Sequence, residues 1–336
     1  MFNIKQRIKH IVKREAIILM YHRIANPVID PWQLSVSANN FEQHLKLLKS
    51  KNIVKPLPQI IGEMKKKKFS KRYIAITFDD GYADNYFTAK PLLEKYELPA
   101  TFFITSKGID STSEFWWDEL AHMLLQRQEL PPTLSLDINS HPFSYDLADE
   151  TSLTDELLDR HKNYIYYNPA ETSRSKLYFK LWKYFSLIPD REQIKLIEQV
   201  RKWAGVDTNL QPAYRCLSSE QIRELSAHQL FNVGGHTVSH PMLPYYNEGI
   251  QHKEVLENKL LLEQITGKKI DLFAYPSGKF NDLTIKILKQ LGFEAAFTTN
   301  AKTVKKYADP FTLGRFQVNN CSGNQLRQLL IKWSNY

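Results

Sequence analysis

Two adjacent acids are the first residues of this chain whose types could do chemistry. Asp79 and Asp80 follow the apolar run Tyr73–Phe78 and precede Gly81. Neighbouring carboxylates repel each other unless a cation or a proton relieves them. Taken alone, Asp-Asp-Gly is also typical of a polar turn. The pair therefore indicates a reactive site only if other ligands join it.

Two histidines four residues apart, His236 and His240, form a second candidate. On one turn of a helix, histidines at this spacing face the same side and can chelate one metal ion. A pair of surface histidines with no ligand role is the alternative. With a carboxylate from another strand end, they would make a two-histidine, one-carboxylate metal site with open positions.

A third candidate is the stretch 273–278, in which an apolar strand runs into Tyr275, Pro276 and Gly278. Proline fixes the chain direction and glycine permits close approach, so a backbone N–H here could face a reacting oxyanion. The motif is weak alone, because strand–Pro–Gly turns are common.

Alternating strands and helices must position these residues. Apolar runs predict strands at 16–21, 73–78, 100–104, up to 235, 271–275 and 294–298. Helical periodicity predicts helices at 40–52, 83–96, 218–228, 249–266 and 281–291, the first capped by Asn40. Repeated strand–helix units indicate parallel strands in an α/β sheet or barrel, whose active site lies at the carboxyl ends of the strands.

This alternation is interrupted between residues 110 and 211, which we interpret as a largely helical insertion. Helical patterns occur at 117–127, 155–167 and 191–204, and strands 133–136 and 142–145 predict a hairpin turning through Asn139 and Ser140. The expected division is a basic amphipathic segment at 1–15, a barrel at 16–109 and 212–320, the insertion at 110–211, and a C-terminal helix at 321–336.

Composition limits the partners and the compartment. The 336 residues carry a net charge of +9, yet no nucleic-acid-binding motif is present, so we expect no nucleic acid. Residues 2–14 have one apolar and one basic helical face, which could lie on an anionic membrane or pack on the domain. Two cysteines and no long apolar run predict a cytoplasmic protein, with peripheral contact at the inner membrane face as an option.

The pairing of TFDDG at 77–81 with HTVSH at 236–240 resembles the polysaccharide deacetylase family, which has a NodB-homology domain and is carbohydrate esterase family 4. The stretches ILMYHRI, LLEQITGKKIDLFAYPSGKFND and LGRFQV look like the family as well. The arrangement is similar to the permuted members, in which the histidine-bearing strand opens the chain.

This resemblance implies an α/β fold, a distorted (β/α)7 barrel of the TIM type, and removal of acetyl groups from N-acetylated sugars with a divalent metal. By position, Asp79 matches the general base, and His22 matches the general acid of permuted members. The metal ligands would be Asp80, His236 and His240. Family relatives use zinc most often, and cobalt, manganese or nickel in some cases.

Two departures from the family pattern affect the expected substrate contacts. The third motif, containing Tyr275 and Pro276, lacks the arginine that orients the base, and Arg315 is the expected substitute or else a structural salt-bridging residue. The insertion carries Trp117, which could stack on a sugar ring or belong to the insertion's own core.

The leading hypothesis is a metal-dependent N-deacetylase of an acetamido sugar. Charge and the expected compartment favour a lipid-linked or nucleotide-linked saccharide over secreted polymers. The alternatives are an inactive carbohydrate-binding or assembly protein, an esterase or amidase for another acyl group, and a non-haem iron centre. The sugar, its carrier, the metal and the oligomeric state stay open.

Overall fold

Seven parallel strands form the centre of the computed structural model, which describes residues 14–138, 141–206 and 214–333. The strands are β1 (Glu15–Tyr21), β2 (Tyr73–Phe78), β3 (Ala100–Ile104), β4 (Thr133–Ile138), β5 (His141–Asp146), β6 (Phe231–Gly235), β7 (Leu272–Ala274), β8 (Ala295–Phe297), β9 (Val304–Lys305) and β10 (Phe316–Gln317). In the central sheet the parallel strands follow the order β10-β1-β2-β3-β6-β7-β8, and β9 pairs antiparallel with the start of β1.

The two edges of this sheet are joined by one segment of chain. Leu313 bridges to Phe297 of β8, and three residues later Phe316 pairs with Leu19 of β1. The sheet therefore curls into a barrel. The expected α/β fold with a distorted seven-stranded barrel is confirmed.

Helices cover the outside of the barrel because each strand is buried on both faces and needs an apolar cover. The helices are α1 (Ala38–Lys51), α2 (Leu57–Lys65), α3 (Lys90–Lys95), α4 (Trp116–Ala121), α5 (Asp155–Lys162), α6 (Ser173–Phe185), α7 (Asp190–Ala204), α8 (Ser219–Ala227), α9 (Glu248–Thr266), α10 (Asp282–Gln290) and α11 (Gly323–Trp333). Four of these, α4 to α7, lie in the segment that interrupts the barrel.

Several predicted helix bounds were wrong. Helix α1 is capped by Ser37, whose Oγ accepts the N–H of Asn40, so Asn40 is inside the helix and is not its cap. The segment predicted as one helix at 83–96 contains a π-helical turn, Asn85–Ala89, before α3. Helix α5 ends at Lys162, five residues earlier than predicted. Helices α2 and α6 were not predicted.

The interrupting segment has a hydrophobic cluster separate from that of the barrel. Buried side chains between Leu120 and Ala204 form it, and Ile29 and Trp32 from the loop after β1 join it. Strands β4 and β5 pair antiparallel as the predicted hairpin. The predicted turn at Asn139 and Ser140, the boundary at 211 and the segment 2–13 lie outside the described residues. Within the described ranges, no helix is long and apolar enough to cross a membrane.

A buried histidine in α1 makes the stability of the fold depend on pH. His44 is fully buried, with its ring nitrogens at 3.2 Å from the Tyr21 hydroxyl and 2.7 Å from the Cys321 carbonyl. Burial lowers the pKa of His44 from 6.5 to about 4, although the hydrogen bond to Cys321 opposes this shift. Between these values the folded protein binds fewer protons than the unfolded chain does, so acid favours unfolding.

We therefore predict that the free energy of unfolding falls by up to about 3 kcal/mol on account of His44 as the pH drops from 7 to 4. Urea denaturation at several pH values measures this. His44→Gln should flatten the profile over this range, whereas His252→Gln, at a partly exposed position on α9, should not. Equal slopes for wild type and His44→Gln would contradict the assignment.

Candidate active site

Strand ends bring the chemically active side chains into one cleft. His22 follows β1, Asp79 and Asp80 follow β2, and His236 follows β6, with His240 four residues further on. All five line a cavity of about 540 Å³. The sequence predicted this convergence, because parallel strands end at the same rim of a barrel.

Asp79 is a buried carboxylate held by a guanidinium. Arg315, which is fully buried, donates from Nη1 to Oδ1 at 2.7 Å and from Nη2 to Oδ2 at 2.6 Å. Burial acts to raise the pKa of Asp79, but the charge of Arg315 outweighs it, and the pKa is lowered. Arg315 therefore keeps Asp79 ionised and fixes its orientation. The sequence had left open whether Arg315 orients the base or is structural, and its side chain contacts Asp79 directly.

Asp80 has a carboxylate oxygen without a hydrogen-bond partner among the described residues. Its Oδ1 is buried, 3.3 Å from Nε2 of His236 and 3.5 Å from Nε2 of His240, and neither contact has hydrogen-bond geometry. Ligand atoms of the three residues lie within 4.8 Å of one another. Buried oxygens are rarely left unpaired, so this one indicates a position for a cation.

The histidine tautomer supports this interpretation. Nδ1 of His236 lies 2.7 Å from the carbonyl oxygen of Ala274, which can only accept, so Nδ1 carries the proton. In the neutral imidazole the lone pair of Nε2 then faces Asp80. Burial acts to lower the pKa of His236, but the carboxylates of Asp80 and Asp79 outweigh it and raise the pKa. Burial lowers the pKa of His240 to about 4, which keeps its imidazole neutral as a metal ligand must be. These three residues fit a divalent transition metal.

The loop that carries the two histidines is not helical, so the expectation of a helical turn was wrong. Thr237 and His240 have φ values of 66° and 62°, in the left-handed region. Helix α9 holds this backbone, because Glu254 accepts the N–H groups of Val238 and Ser239 at 2.9 Å.

A second residue of α9 completes the support for this loop. Asn258 accepts the His236 N–H at 3.1 Å and donates to the carbonyl of Thr237 at 2.6 Å and to that of Ile104 at 2.9 Å. The sequence reasoning missed Glu254 and Asn258. Their helical spacing with Leu262 and Ile265, which puts two polar residues in line with buried apolar ones, is the signal that could have found them.

Trp117 packs beside the metal-ligand set. Its ring centroid is 5.0 Å from that of His240, and its indole N–H donates to the Tyr82 hydroxyl at 2.9 Å. Tyr82 in turn donates to Asp118 at 2.7 Å. Trp117 lines the cleft and is mostly buried, in a small cluster with Tyr82, Phe115 and Cys216 that is separate from the main cluster of the insertion. Its stacking on a sugar ring stays a prediction.

The other two predicted substrate contacts, Tyr275 and Pro276, lie below the surface of the cleft. Tyr275 is fully buried and donates its hydroxyl to the Phe311 carbonyl at 2.9 Å, and Pro276 is also buried. The cleft surface at this strand end comes from Ser277 and Lys279. The contacts expected of Tyr275 and Pro276 stay predictions.

Comparison with known proteins then assigns the family. The family model described as polysaccharide deacetylase matches residues 66–156 and 199–296, more than half of the chain. The chain belongs to the polysaccharide deacetylase family. The enzyme class expected from the sequence, a sugar N-deacetylase, is confirmed by this membership.

Similar proteins cover different shares of this deacetylase. YxkH of Bacillus subtilis (strain 168), which carries the same family name, is 21% identical over 304 residues, 90% of this chain and 71% of that protein. The poly-beta-1,6-N-acetyl-D-glucosamine N-deacetylase of Staphylococcus aureus (strain MSSA476) is 44% identical over 71 residues, 21% of this chain and 24% of its own.

Solved structures share the fold of this deacetylase. IcaB from Ammonifex degensii has a TM-score of 0.56 at 19% identity, covering 94% of this chain and 96% of that one. The Streptococcus pyogenes deacetylase PplD, solved in complex with acetate, has a TM-score of 0.54 at 19% identity and covers 94% and 97% of the two chains.

The buried Arg315–Asp79 pair predicts a large stability effect. Arg315→Met would leave the Asp79 charge buried and unpaired, and we expect the free energy of unfolding to fall by about 3–5 kcal/mol. Urea denaturation at pH 7 tests this. The double variant Arg315→Met/Asp79→Leu removes both charges and should recover most of the loss. A single variant as stable as wild type would contradict the pairing.

Proposed function

We propose that this deacetylase is a metal-dependent hydrolase that removes the N-acetyl group from an acetamido sugar in a glycan or a glycan precursor. One observation carries the proposal: the unpartnered Oδ1 of Asp80 lies between two imidazole nitrogens, beside a carboxylate that Arg315 holds ionised. This arrangement combines a cation position with an adjacent base, which amide hydrolysis needs.

Asp80, His236 and His240 would hold the cation. A divalent metal bound there would acidify a water molecule and polarise the acetyl carbonyl. Two imidazoles and one carboxylate suit zinc well, and cobalt, manganese or nickel are alternatives, of which manganese prefers oxygen ligands.

The chain's own residues handle the protons. Asp79, next in sequence to a ligand and ionised, accepts the proton of the attacking water as the general base. His22 lines the same cleft and donates a proton to the departing nitrogen. Water oxygen bonds to the acetyl carbon, the carbon–nitrogen bond breaks, and the products are acetate and the free amine.

The identity of the glycan is the finer part of the proposal. The Staphylococcus aureus relative is named for a poly-N-acetylglucosamine substrate, which supports an N-acetylhexosamine as the group that is cleaved. A cleft of about 540 Å³ lies within the range of about 300–1,000 Å³ that ligand sites fill, so it can accept more than the reacting sugar. A cytoplasmic location, with a lipid- or nucleotide-linked sugar and contact with an anionic membrane or carrier, stays a prediction from the sequence.

Acetate release by the zinc-loaded protein tests the proposed function. The substrates are acetamido-sugar nucleotides, lipid-linked acetamido sugars and chitin oligomers. Release from any of these classes supports the deacetylase. If no substrate releases acetate although metal is bound and the fold is intact, the inactive carbohydrate-binding alternative is favoured. If acetate is released only from O-acetyl esters, the esterase is favoured.

Asp79→Asn should keep the metal ligands but remove the base. We expect turnover to fall by about 10²–10⁴-fold, the usual contribution of general base catalysis. Acetate release is measured at saturating metal, with cobalt absorption as the check that the metal still binds. Asp149→Asn, an exposed change outside the cleft, should retain wild-type turnover. Near-normal turnover in Asp79→Asn would refute the base assignment.

Asp80→Asn should lower metal affinity because the amide replaces a charged ligand. Asparagine tolerates the left-handed backbone at this position, φ 72°, so the fold should persist. We expect zinc content after dialysis to drop from about one ion per chain to a small fraction of that, and chelator treatment of wild type to abolish acetate release until zinc or cobalt is restored. Stoichiometric zinc in Asp80→Asn would contradict the ligand set.

A further inference from the structure

The interrupting segment supplies one wall of the cleft. Opposite the barrel residues, the cleft is lined by Trp116 and Trp117 of α4, Phe179, Trp182 and Lys183 of α6, and Tyr166 from the loop after α5. We call these residues the insertion wall. They differ in kind from the acids and histidines of the barrel rim, so they point to recognition of parts of the substrate other than the acetyl group.

Ring stacking and one hydrogen bond hold the aromatic part of the insertion wall in place. Trp32, from the barrel loop after β1, stacks on Tyr166 at 4.4 Å and on Trp182 at 3.9 Å between ring centroids. Its indole N–H donates to the Tyr178 hydroxyl at 2.7 Å. Trp116 packs against Trp182 at 6.0 Å. An array of fixed rings beside the reacting groups is suited to the apolar faces of sugar rings.

The charge on the two rims of the cleft is positive. Lys183 lies on the insertion wall, and Lys279 lies on the barrel side after β7. The Lys183 ammonium is 4.4 Å from the ring centroid of Phe179, a cation–π contact that holds it beside the cleft. The described structure pairs neither lysine with a carboxylate.

The acids of the cleft do not cancel this charge. Asp79 and Asp80 are the only carboxylates that line the described cleft. Arg315 compensates Asp79, and in the proposed function the bound cation compensates Asp80. The two lysines therefore dominate the field that a substrate meets outside the reacting centre.

We propose that the insertion wall selects an acetamido sugar with an anionic neighbour, such as a uronate residue or a diphosphate, and that the Lys183 ammonium binds this negative charge. The proposal rests on the proposed function for the site, and it adds the substrate class. A neighbouring glucosamine, the cationic product of deacetylation, would be repelled by the same lysines. The cleft therefore suits anionic glycans or sugar phosphates better than polymers that become cationic as they are processed.

Calorimetric binding to the full-length, zinc-loaded protein tests the proposal without depending on turnover. The probes are a tetrasaccharide of alternating glucuronate and N-acetylglucosamine, a uridine diphosphate sugar carrying N-acetylglucosamine, and neutral chitin tetrasaccharide. We expect at least one anionic probe to bind about tenfold more tightly than the neutral one, and this ratio to shrink at high salt. The anionic probe with the lower dissociation constant shows whether the preferred neighbour is a uronate or a diphosphate.

Charge reversal at two lysines of α6, one lining the cleft and one outside it, provides the matched pair of variants. Lys183→Glu should reduce the anionic-to-neutral affinity ratio by about tenfold or more. Lys180→Glu, on the same helix but over Phe143 and Tyr145 of the hairpin, should leave the ratio as in wild type.

Either of two results would overturn the proposal: equal or weaker binding of both anionic probes than of the neutral one in wild type, or an unchanged ratio in Lys183→Glu. If anionic binding is preferred but no acetate is released from any substrate, the charge selection stands and the proposed function fails. If acetate is released from neutral oligomers without any anionic preference, the function stands and the charge selection fails.

Discussion

Two buried carboxylates side by side at the end of one strand are the constraint on which the rest of the structure depends. Ionised Asp79 and Asp80 cannot share a buried position without nearby positive charge. Arg315 compensates the first through two short hydrogen bonds. His236 and His240 place their Nε2 atoms at 3.3 Å and 3.5 Å from the unpaired oxygen of the second. In the proposed function a bound divalent cation supplies the remaining compensation, and the same charged groups carry out the hydrolysis.

The positions of the acids and histidines require a left-handed backbone conformation that non-glycine residues rarely adopt. Asp80, Thr237 and His240 all have left-handed φ values, each at a cost of roughly 1–3 kcal/mol for a non-glycine residue. Polar contacts from α9, by Glu254 and Asn258, stabilise the histidine loop against that cost. The interrupting segment adds the insertion wall, so the barrel supplies the acids and histidines of the cleft and the insertion supplies its aromatic surface.

Much of the fold could be predicted from the sequence, because fully buried parallel strands such as Tyr73–Phe78 are continuous apolar runs bounded by polar residues. The convergence of Asp79, Asp80 and His236 followed from strand ends meeting at one rim. The loop conformation at His240 could not be predicted, because left-handed backbone at non-glycine residues is imposed by tertiary hydrogen bonds and not by local preference. Helix α6 was missed although Leu177, Leu181 and Phe185 have helical spacing, because half-buried aromatic residues between them obscure the apolar stripe in the sequence.

Counting both products of one reaction tests the central claim most directly. The zinc-loaded protein is incubated with an N-acetylated oligosaccharide that it binds, and proton NMR quantifies acetate while amine labelling quantifies free amino groups in the same sample. A metal-dependent N-deacetylase should give acetate and new amine in a one-to-one ratio, and both should be lost when a chelator removes the metal. Acetate without amine, or equal yields that persist in the metal-free protein, would contradict a metal-dependent N-deacetylase.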